Sequence, residues 1–176
     1  MKKVLQFAGL ISLALAAVAF ILMMATPAII QTLVGDTQTV YAGTTAIFGK
    51  TTSTDVIIGT LTNTTKPSVL ALIGWILILV AMIILALGVI LPLLKVKALE
   101  KFSGVLEIAA CAALVVAGIF MFLVVPTFYG ANGVKPEDIP SGAAIGAGWV
   151  IGGVVSIVAG AFAILPACAN FFGKKK

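Results

Sequence analysis

The chain has 176 residues, of which 61% are hydrophobic and only 10% charged, so polar groups could not cover its surface and a soluble globular domain is excluded. Its net charge of +5 comes from lysines that cluster at the ends of apolar stretches, which indicates membrane orientation and no nucleic-acid partner. Histidine is absent, which removes the commonest general base and metal ligand.

The first apolar stretch follows Lys2 and Lys3 and predicts a transmembrane helix over about residues 4–27. It is longer than the hydrophobic region of a signal peptide, and no A-x-A cleavage site follows it. We therefore expect a retained first span, with an extension as far as Val34 as the alternative.

Residues 35–66 form the one long polar connection and are rich in threonine. Thr39–Phe48 and Thr54–Thr62 carry β-branched and aromatic residues typical of strands, and Gly49–Ser53 is predicted to be the turn of a hairpin between them. A two-stranded hairpin is marginally stable in water, so we expect it to pack on the helix ends or recruit a third strand. The alternative is a disordered loop.

Three more apolar spans follow, at about 69–94, 103–125 and 143–166. A short charged connection separates the second span from the third. A polar connection at 126–141 separates the third from the fourth. The chain is thus expected to be a single membrane domain that crosses the bilayer four times.

The second and fourth spans share their ends. Gly-Trp opens both and Ile-Leu-Pro closes both, so Trp75 and Trp149 lie the same distance from Pro92 and Pro166. A Phe-x-Gly motif near the start of the first and third spans is a fainter echo. The pattern indicates a duplication of two helical hairpins, related by a pseudo-twofold axis along the membrane normal. The alternative is two independent spans with similar interface residues.

Lysine distribution predicts the orientation. Eight lysines lie on the side of the two termini and only three on the side of the longer connections, so both termini should be cytoplasmic in the cell membrane. The two tryptophans of the repeat then lie at the outer interface and its two prolines at the inner one. We expect all four residues to be interface anchors.

Small residues recur at every fourth position around the start of the fourth span, and this spacing places them on one helix face. Such a ridge allows close approach of another helix, either within the bundle or in a second copy of the chain. Its members are Ala144, Gly148, Gly152, Ser156 and Gly160.

Two further side chains are candidates for function. Glu107 is the only ionisable residue expected within a span apart from the thiols; it could serve transport or gating, or pair with an inner lysine. Cys168 lies next to aromatic and lysine residues at the predicted inner interface, where S-palmitoylation is one reading and simple packing the other.

No pattern in the sequence indicates a catalytic site. The serines lack a neighbouring base in sequence, no span carries paired carboxylates, and no glycine-rich loop follows a strand. The two cysteines lack the spacing of a zinc site. We therefore expect a protein that is not an enzyme and that takes no metal or cofactor.

Four spans, cytoplasmic ends, a long strand-forming first outer connection and a shorter second one together resemble the claudin-like tetraspan proteins. The resemblance covers the whole chain in outline. The tryptophan and two cysteines that mark the first outer loop of claudins do not occur in residues 35–66, so no residue role is transferred. The resemblance implies a membrane protein that makes contacts through its outer loops.

The expected fold is an all-α, four-transmembrane-helix bundle with a small extracellular β-hairpin module. The expected function is a non-enzymatic structural, scaffold or accessory subunit. Its partners would be the lipid bilayer and either further copies of itself or a larger membrane protein complex. The alternative is a small transporter or channel subunit that uses Glu107.

Overall fold

The computed structural model describes residues 2–33, 37–56, 59–93 and 103–172. Helices dominate, and short strands lie in the connections between them. In chain order the elements are α1 (Lys2–Ala25), β1 (Pro27–Thr32), β2 (Gln38–Ala42), α2 (Gly43–Phe48), β3 (Lys50–Val56), β4 (Gly59–Thr65), α3 (Val69–Leu93), α4 (Ser103–Phe122), α5 (Val124–Ala131), a 3₁₀ turn (Pro136–Asp138), β5 (Ala143–Ile145) and α6 (Ala147–Phe172).

Four of these helices, α1, α3, α4 and α6, are long and apolar enough to cross a membrane. The prediction of a four-helix membrane protein is confirmed at that level. Helix α6 packs against α1 and α4, and α3 packs against the same two helices, so the four form a closed ring. Buried alanines such as Ala16, Ala81, Ala117 and Ala159 line the contacts and let the helices approach closely.

Proline explains two helix ends that differ from the prediction. Helix α1 ends at Ala25, and Pro27 opens strand β1, so an extension of the helix to Val34 is wrong. In the third span the helix breaks at Leu123, because Pro126 has no N–H to donate and its ring crowds the carbonyl of Phe122 four residues earlier. Helix α5 then continues to Ala131.

A cap of strands and short helices covers one end of the bundle. Strand β1 is the centre of an antiparallel three-stranded sheet with the order β2–β1–β5. Ile30 is opposite Val40 on one side and Ala144 on the other. The neighbouring Ile29 faces inward and is fully buried. Tyr41, also packed against the core, stacks at 5.0 Å between ring centroids on Phe128 of α5.

Residues 39–48 are not one strand, contrary to the prediction. The strand ends at Ala42, and Gly43 starts helix α2 where a Cβ atom would overlap the carbonyl oxygen of Met23. Ala46 and Ile47 are then buried beneath the sheet. Gly49 ends the helix with a φ of 75°, a backbone conformation that favours glycine.

The hairpin that forms in the structure pairs β3 with β4 in a separate two-stranded sheet. The predicted turn at Gly49–Ser53 is instead largely part of β3, and the connection between β3 and β4 falls at 57–58, outside the described residues. Threonine-rich sequence carries strand propensity without marking where the strand should begin, so its register could not be deduced.

Candidate functional site

The hairpin of β3 and β4 is exposed on both faces near its base. Successive residues of a strand point to opposite faces, so exposure of consecutive positions means that neither face is covered. The exposed positions on the two strands are Thr51, Thr52, Ser53, Thr62, Asn63 and Thr64. Both strands are edge strands, since no described strand pairs with the outer side of either.

The base of the hairpin is fixed to the cap by the side chain of Asn132, which follows α5. The backbone N–H of Lys66 donates to Asn132 Oδ1 at 2.8 Å, and Asn132 Nδ2 donates to the Lys66 carbonyl at 3.1 Å. The same amide nitrogen also donates to the Phe128 carbonyl at 2.9 Å. The hairpin therefore projects from a defined point of attachment.

Helix α3 begins directly after this point and is capped by Ser68. The Ser68 hydroxyl accepts from the Ala71 N–H at 3.3 Å, the N-cap arrangement, and lies 2.7 Å from Thr127 Oγ1 on α5. The backbone N–H of Ser68 donates to the Ala46 carbonyl of α2 at 2.8 Å. These bonds connect the cap helices to the start of the second span.

The inner side of the three-stranded sheet contains a polar contact with α5. The Tyr129 hydroxyl donates to Gln31 Oε1 at 2.8 Å across the cap interior. Burial raises the pKa of the Tyr129 phenol above its usual value near 10, and the neighbouring Tyr41 raises it further. The sheet is thus sealed on its inner face by groups that remain neutral at physiological pH.

The small-residue ridge lies inside the bundle, except for Ala144, which belongs to strand β5 and is exposed. A Cβ atom on Gly152 would lie 2.7 Å from Met121 Cε, and one on Gly160 would lie 3.0 Å from the Cys111 carbonyl oxygen. Gly148 abuts the side chain of Thr26 of the chain segment after α1. The glycines of the ridge pack within the chain against neighbouring elements.

Two serines strengthen the same helix contacts by hydrogen bonds to backbone carbonyls. Ser156 of the ridge donates to the Leu114 carbonyl at 2.7 Å, and Ser12 of α1 donates to the Ala159 carbonyl at 2.7 Å. Both serines are fully buried. Each hydroxyl joins two spans that are distant in sequence, which favours a packing role over a polar pathway.

Trp149 is fully buried, so the prediction that it meets the headgroups is wrong. Its indole Nε1–H donates to the Met23 carbonyl at 3.0 Å. That carbonyl needs a donor, because Pro27, four residues later, has no N–H to complete the helical hydrogen bond. Trp75 is only half-buried; its Nε1–H donates to Met24 Sδ at 3.1 Å, and its ring contacts those of Phe20 and Phe48.

The two prolines of the repeat lie within helices. Pro92 is the penultimate residue of α3, close to the end of that span. Pro166 is inside α6, which continues to Phe172, so it does not close the helix as the sequence pattern suggested. A helix tolerates such a proline where neighbouring helices and local adjustment satisfy the carbonyl that the ring leaves without a donor.

Glu107 lies on the bundle-facing side of α4, at helical spacing from the buried residues Ala110, Leu114 and Gly118. Its Oε2 atom is buried and has no hydrogen-bond partner among the described residues. Cys168 is exposed near the end of α6, and Cys111 is half-buried. Among the described residues, no group of three metal-ligating side chains occurs.

Several of these contacts were missed from sequence alone, although some had a signal. Ser68 directly before an apolar run is the pattern of an N-cap, and Pro27 after a long helix signals a carbonyl that lacks its donor. The partners of these groups, Thr127 and Trp149, lie far away in the chain and are brought close only by the fold. Asn132 had no sequence signal.

Comparisons of this chain with models of protein families and with curated proteins find no match.

Proposed function

We propose that this protein is a non-enzymatic structural or accessory subunit of the cell membrane, which assembles with further copies or with a larger complex through its cap. The observation that carries the proposal is the hairpin at Lys50–Thr65, whose described side chains near the base are exposed on both faces. Proteins seldom keep an isolated hairpin without a covering layer, because two strands alone are marginally stable in water. A neighbouring protein would supply that layer.

The backbone of the hairpin offers a second route to association. Each edge strand presents a row of unpaired N–H and C=O groups that can accept another strand. The bundle below it needs no such partner, since its glycine ridge and buried serines are used within the chain. Contacts through the cap are therefore favoured over contacts through the small-residue ridge.

The proposed orientation places the cap outside the cell and both termini in the cytoplasm. Support comes from the lysine distribution, because the cap side carries only Lys50, Lys66 and Lys135. A strand-forming first connection and a shorter second one are also what the resemblance to claudin-like tetraspan proteins implies. The resemblance remains part of the proposal.

We also propose that the two helical hairpins, α1 with α3 and α4 with α6, arose by duplication. The ring of helices is compatible with a pseudo-twofold axis, because exchange of the two hairpins maps the α1–α6 contact onto the α4–α3 contact. The shared Gly-Trp and Ile-Leu-Pro ends support the same relation. The two tryptophans differ in burial, which indicates that their environments have diverged.

The hairpin test uses two substitutions at one exposed site, with the full chain in nanodiscs or mild detergent. Thr52→Pro removes a strand N–H and should lower the oligomer size, whereas Thr52→Ala keeps the backbone and should leave assembly near that of the parent. Mass photometry or light scattering measures the subunit number. A monomeric parent, or an oligomer unchanged by Thr52→Pro, would contradict the proposal.

A deletion gives an independent test if it spares the packed cap. Removing residues 39–62 would destroy β2 and α2, whose Ala46 and Ile47 are in the core. Replacing only residues 51–64 by a short Gly-Ser linker should abolish assembly and leave insertion of the four spans intact. Retention of the parent's oligomer size would count against the role of the hairpin.

A second candidate function, a small transporter or channel subunit, has one supporting observation, which is the buried Oε2 of Glu107 without a described partner. The two buried serines of the bundle offer no open path, because both hydroxyls are engaged by carbonyls. The test is solute flux in liposomes. Loss of flux in Glu107→Gln would favour this candidate, and unaltered flux would remove it.

A further inference from the structure

One face of the β3–β4 hairpin presents hydroxyl groups in cross-strand pairs. The register places Thr51 opposite Thr64 and Ser53 opposite Thr62, and these four exposed residues are here called the hydroxyl face. The Thr51 Oγ1–H donates to Thr64 Oγ1 at 3.5 Å. The register continues with Asp55 opposite Thr60, so the Ser53–Thr62 pair is the middle row of three.

The other face of the hairpin has a different chemistry. It carries Lys50 opposite Thr65 and Thr52 opposite Asn63. Two such faces brought together would place lysine ammonium groups near each other, which is unfavourable. The hydroxyl face has no cation among its four residues, and each hydroxyl is both a donor and an acceptor. It is therefore the self-complementary face.

We infer that the hydroxyl face docks against the hydroxyl face of a second copy of this chain in the same membrane. The inference rests on the proposed function and specifies which surface forms the contact. β-Branched threonines pack well against a pleated surface, and paired hydroxyls satisfy one another when water is removed. The same patch on both copies makes a twofold contact, which closes into a dimer and does not propagate as a filament.

The size of the face selects a membrane-held partner. Four side chains cover much less than the roughly 1,200 Å² that a specific soluble complex buries. A second copy in the same bilayer is already confined beside the first, so a small contact suffices through its high effective concentration. A soluble partner would gain no such advantage.

Site-directed cross-linking tests the inference in the full chain with both native cysteines replaced by alanine. Ser53→Cys lies in the middle row of the hydroxyl face, where a twofold contact brings a residue near its own copy or near Thr62 of that copy. Thr52→Cys is the matched control, because it is equally exposed on the opposite face. In proteoliposomes at low protein density, oxidation should yield about tenfold more disulfide-linked dimer for Ser53→Cys.

A second measurement removes hydroxyls without changing shape. Thr62→Val on the hydroxyl face should weaken dimerisation in the membrane about fivefold through the lost hydrogen bond, whereas Thr52→Val on the other face should leave it unchanged. Fluorescence energy transfer between labelled copies measures the dimer fraction. Equal effects of the two substitutions would overturn the inference.

The outcomes separate this inference from the proposed function. If Ser53→Cys cross-links no better than Thr52→Cys while Thr52→Pro still disrupts the oligomer, the hydroxyl face is excluded and assembly through the strand edges stands. If no variant and no parent forms an oligomer, both fail. Preferential linkage at Ser53 together with the effect of Thr62→Val establishes the dimer.

Discussion

The three-stranded sheet and the hairpin come mostly from the same polar connection, yet only the sheet has a core. In the sheet, inward residues such as Ile29 and Tyr41 pack on α2 and α5, and Ala46 and Ile47 fill the space beneath. In the hairpin, threonines, serine and asparagine are exposed on both faces. Strand propensity alone thus produces both sheets, but only alternation of apolar side chains provides one of them with a covered face.

The foundation of the packed sheet should be the most sensitive point. Trp149→Ala would empty a fully buried site and remove the donor to the Met23 carbonyl just before β1, so we expect a loss of about 3–5 kcal/mol. Thermal unfolding in mild detergent measures it. Trp75→Ala, at a half-buried site with a weak sulfur acceptor, is the control and should cost clearly less; equal losses would contradict this account.

A substitution in each sheet tests the contrast directly. Ile29→Ala in the centre of β1 should destabilise the protein by about 2–4 kcal/mol, because the residue is fully buried. Thr52→Ala in the exposed hairpin should change stability by less than about 0.5 kcal/mol. Unfolding of the monomeric fraction is the measurement. A comparable effect of both substitutions would mean that the hairpin is packed.

The attachment of the hairpin should be separable from the sheet. Asn132→Ala removes both hydrogen bonds to the backbone of Lys66 and should cost about 1–2 kcal/mol of local stability. Hydrogen exchange should accelerate in β3 and β4 and stay unchanged in β1. Asn63→Ala, which removes an exposed amide from the hairpin itself, serves as the control and should alter neither region.

The smallest expected effect is a pH dependence of the packed sheet. Because the folded state raises the pKa of Tyr129, the stability from its neutral phenol is complete below the ordinary value near 10 and is lost as the pH rises through the raised value. In Tyr41→Phe, Tyr129 is the only tyrosine left, and tyrosinate absorbance should appear above pH 10. A midpoint at or below 10 would show that Tyr129 is not buried.

The sequence was sufficient for the bundle because each span is a continuous apolar run of membrane length, a signal that does not depend on distant partners. It was also sufficient to expect strands in residues 35–66. It did not predict β1 or β5, because Pro27–Thr32 follows the first span as apolar sequence and Ala143–Ile145 is too short to show a period. Both strands are specified by their mutual pairing.

The functional residues divide in the same way. Four of the five ridge residues could be placed on one helix face from spacing, but which partner they meet depends on the ring of helices. Trp149 was misread as an interface anchor because an indole at the end of an apolar run fits that pattern equally well. Its actual role follows from the missing N–H of Pro27, and no local feature of the sequence connects the two residues.

The bond between Trp149 and Met23 joins residues 126 positions apart, and β1 likewise receives its second neighbour only when β5 arrives. During biogenesis the first span must therefore wait in the bilayer with an open carbonyl and a half-paired strand until the last span has been inserted. A ribosome that stalls before residue 143 would leave an intermediate that cannot close, which makes the final helix the step that commits the nascent protein to its native state.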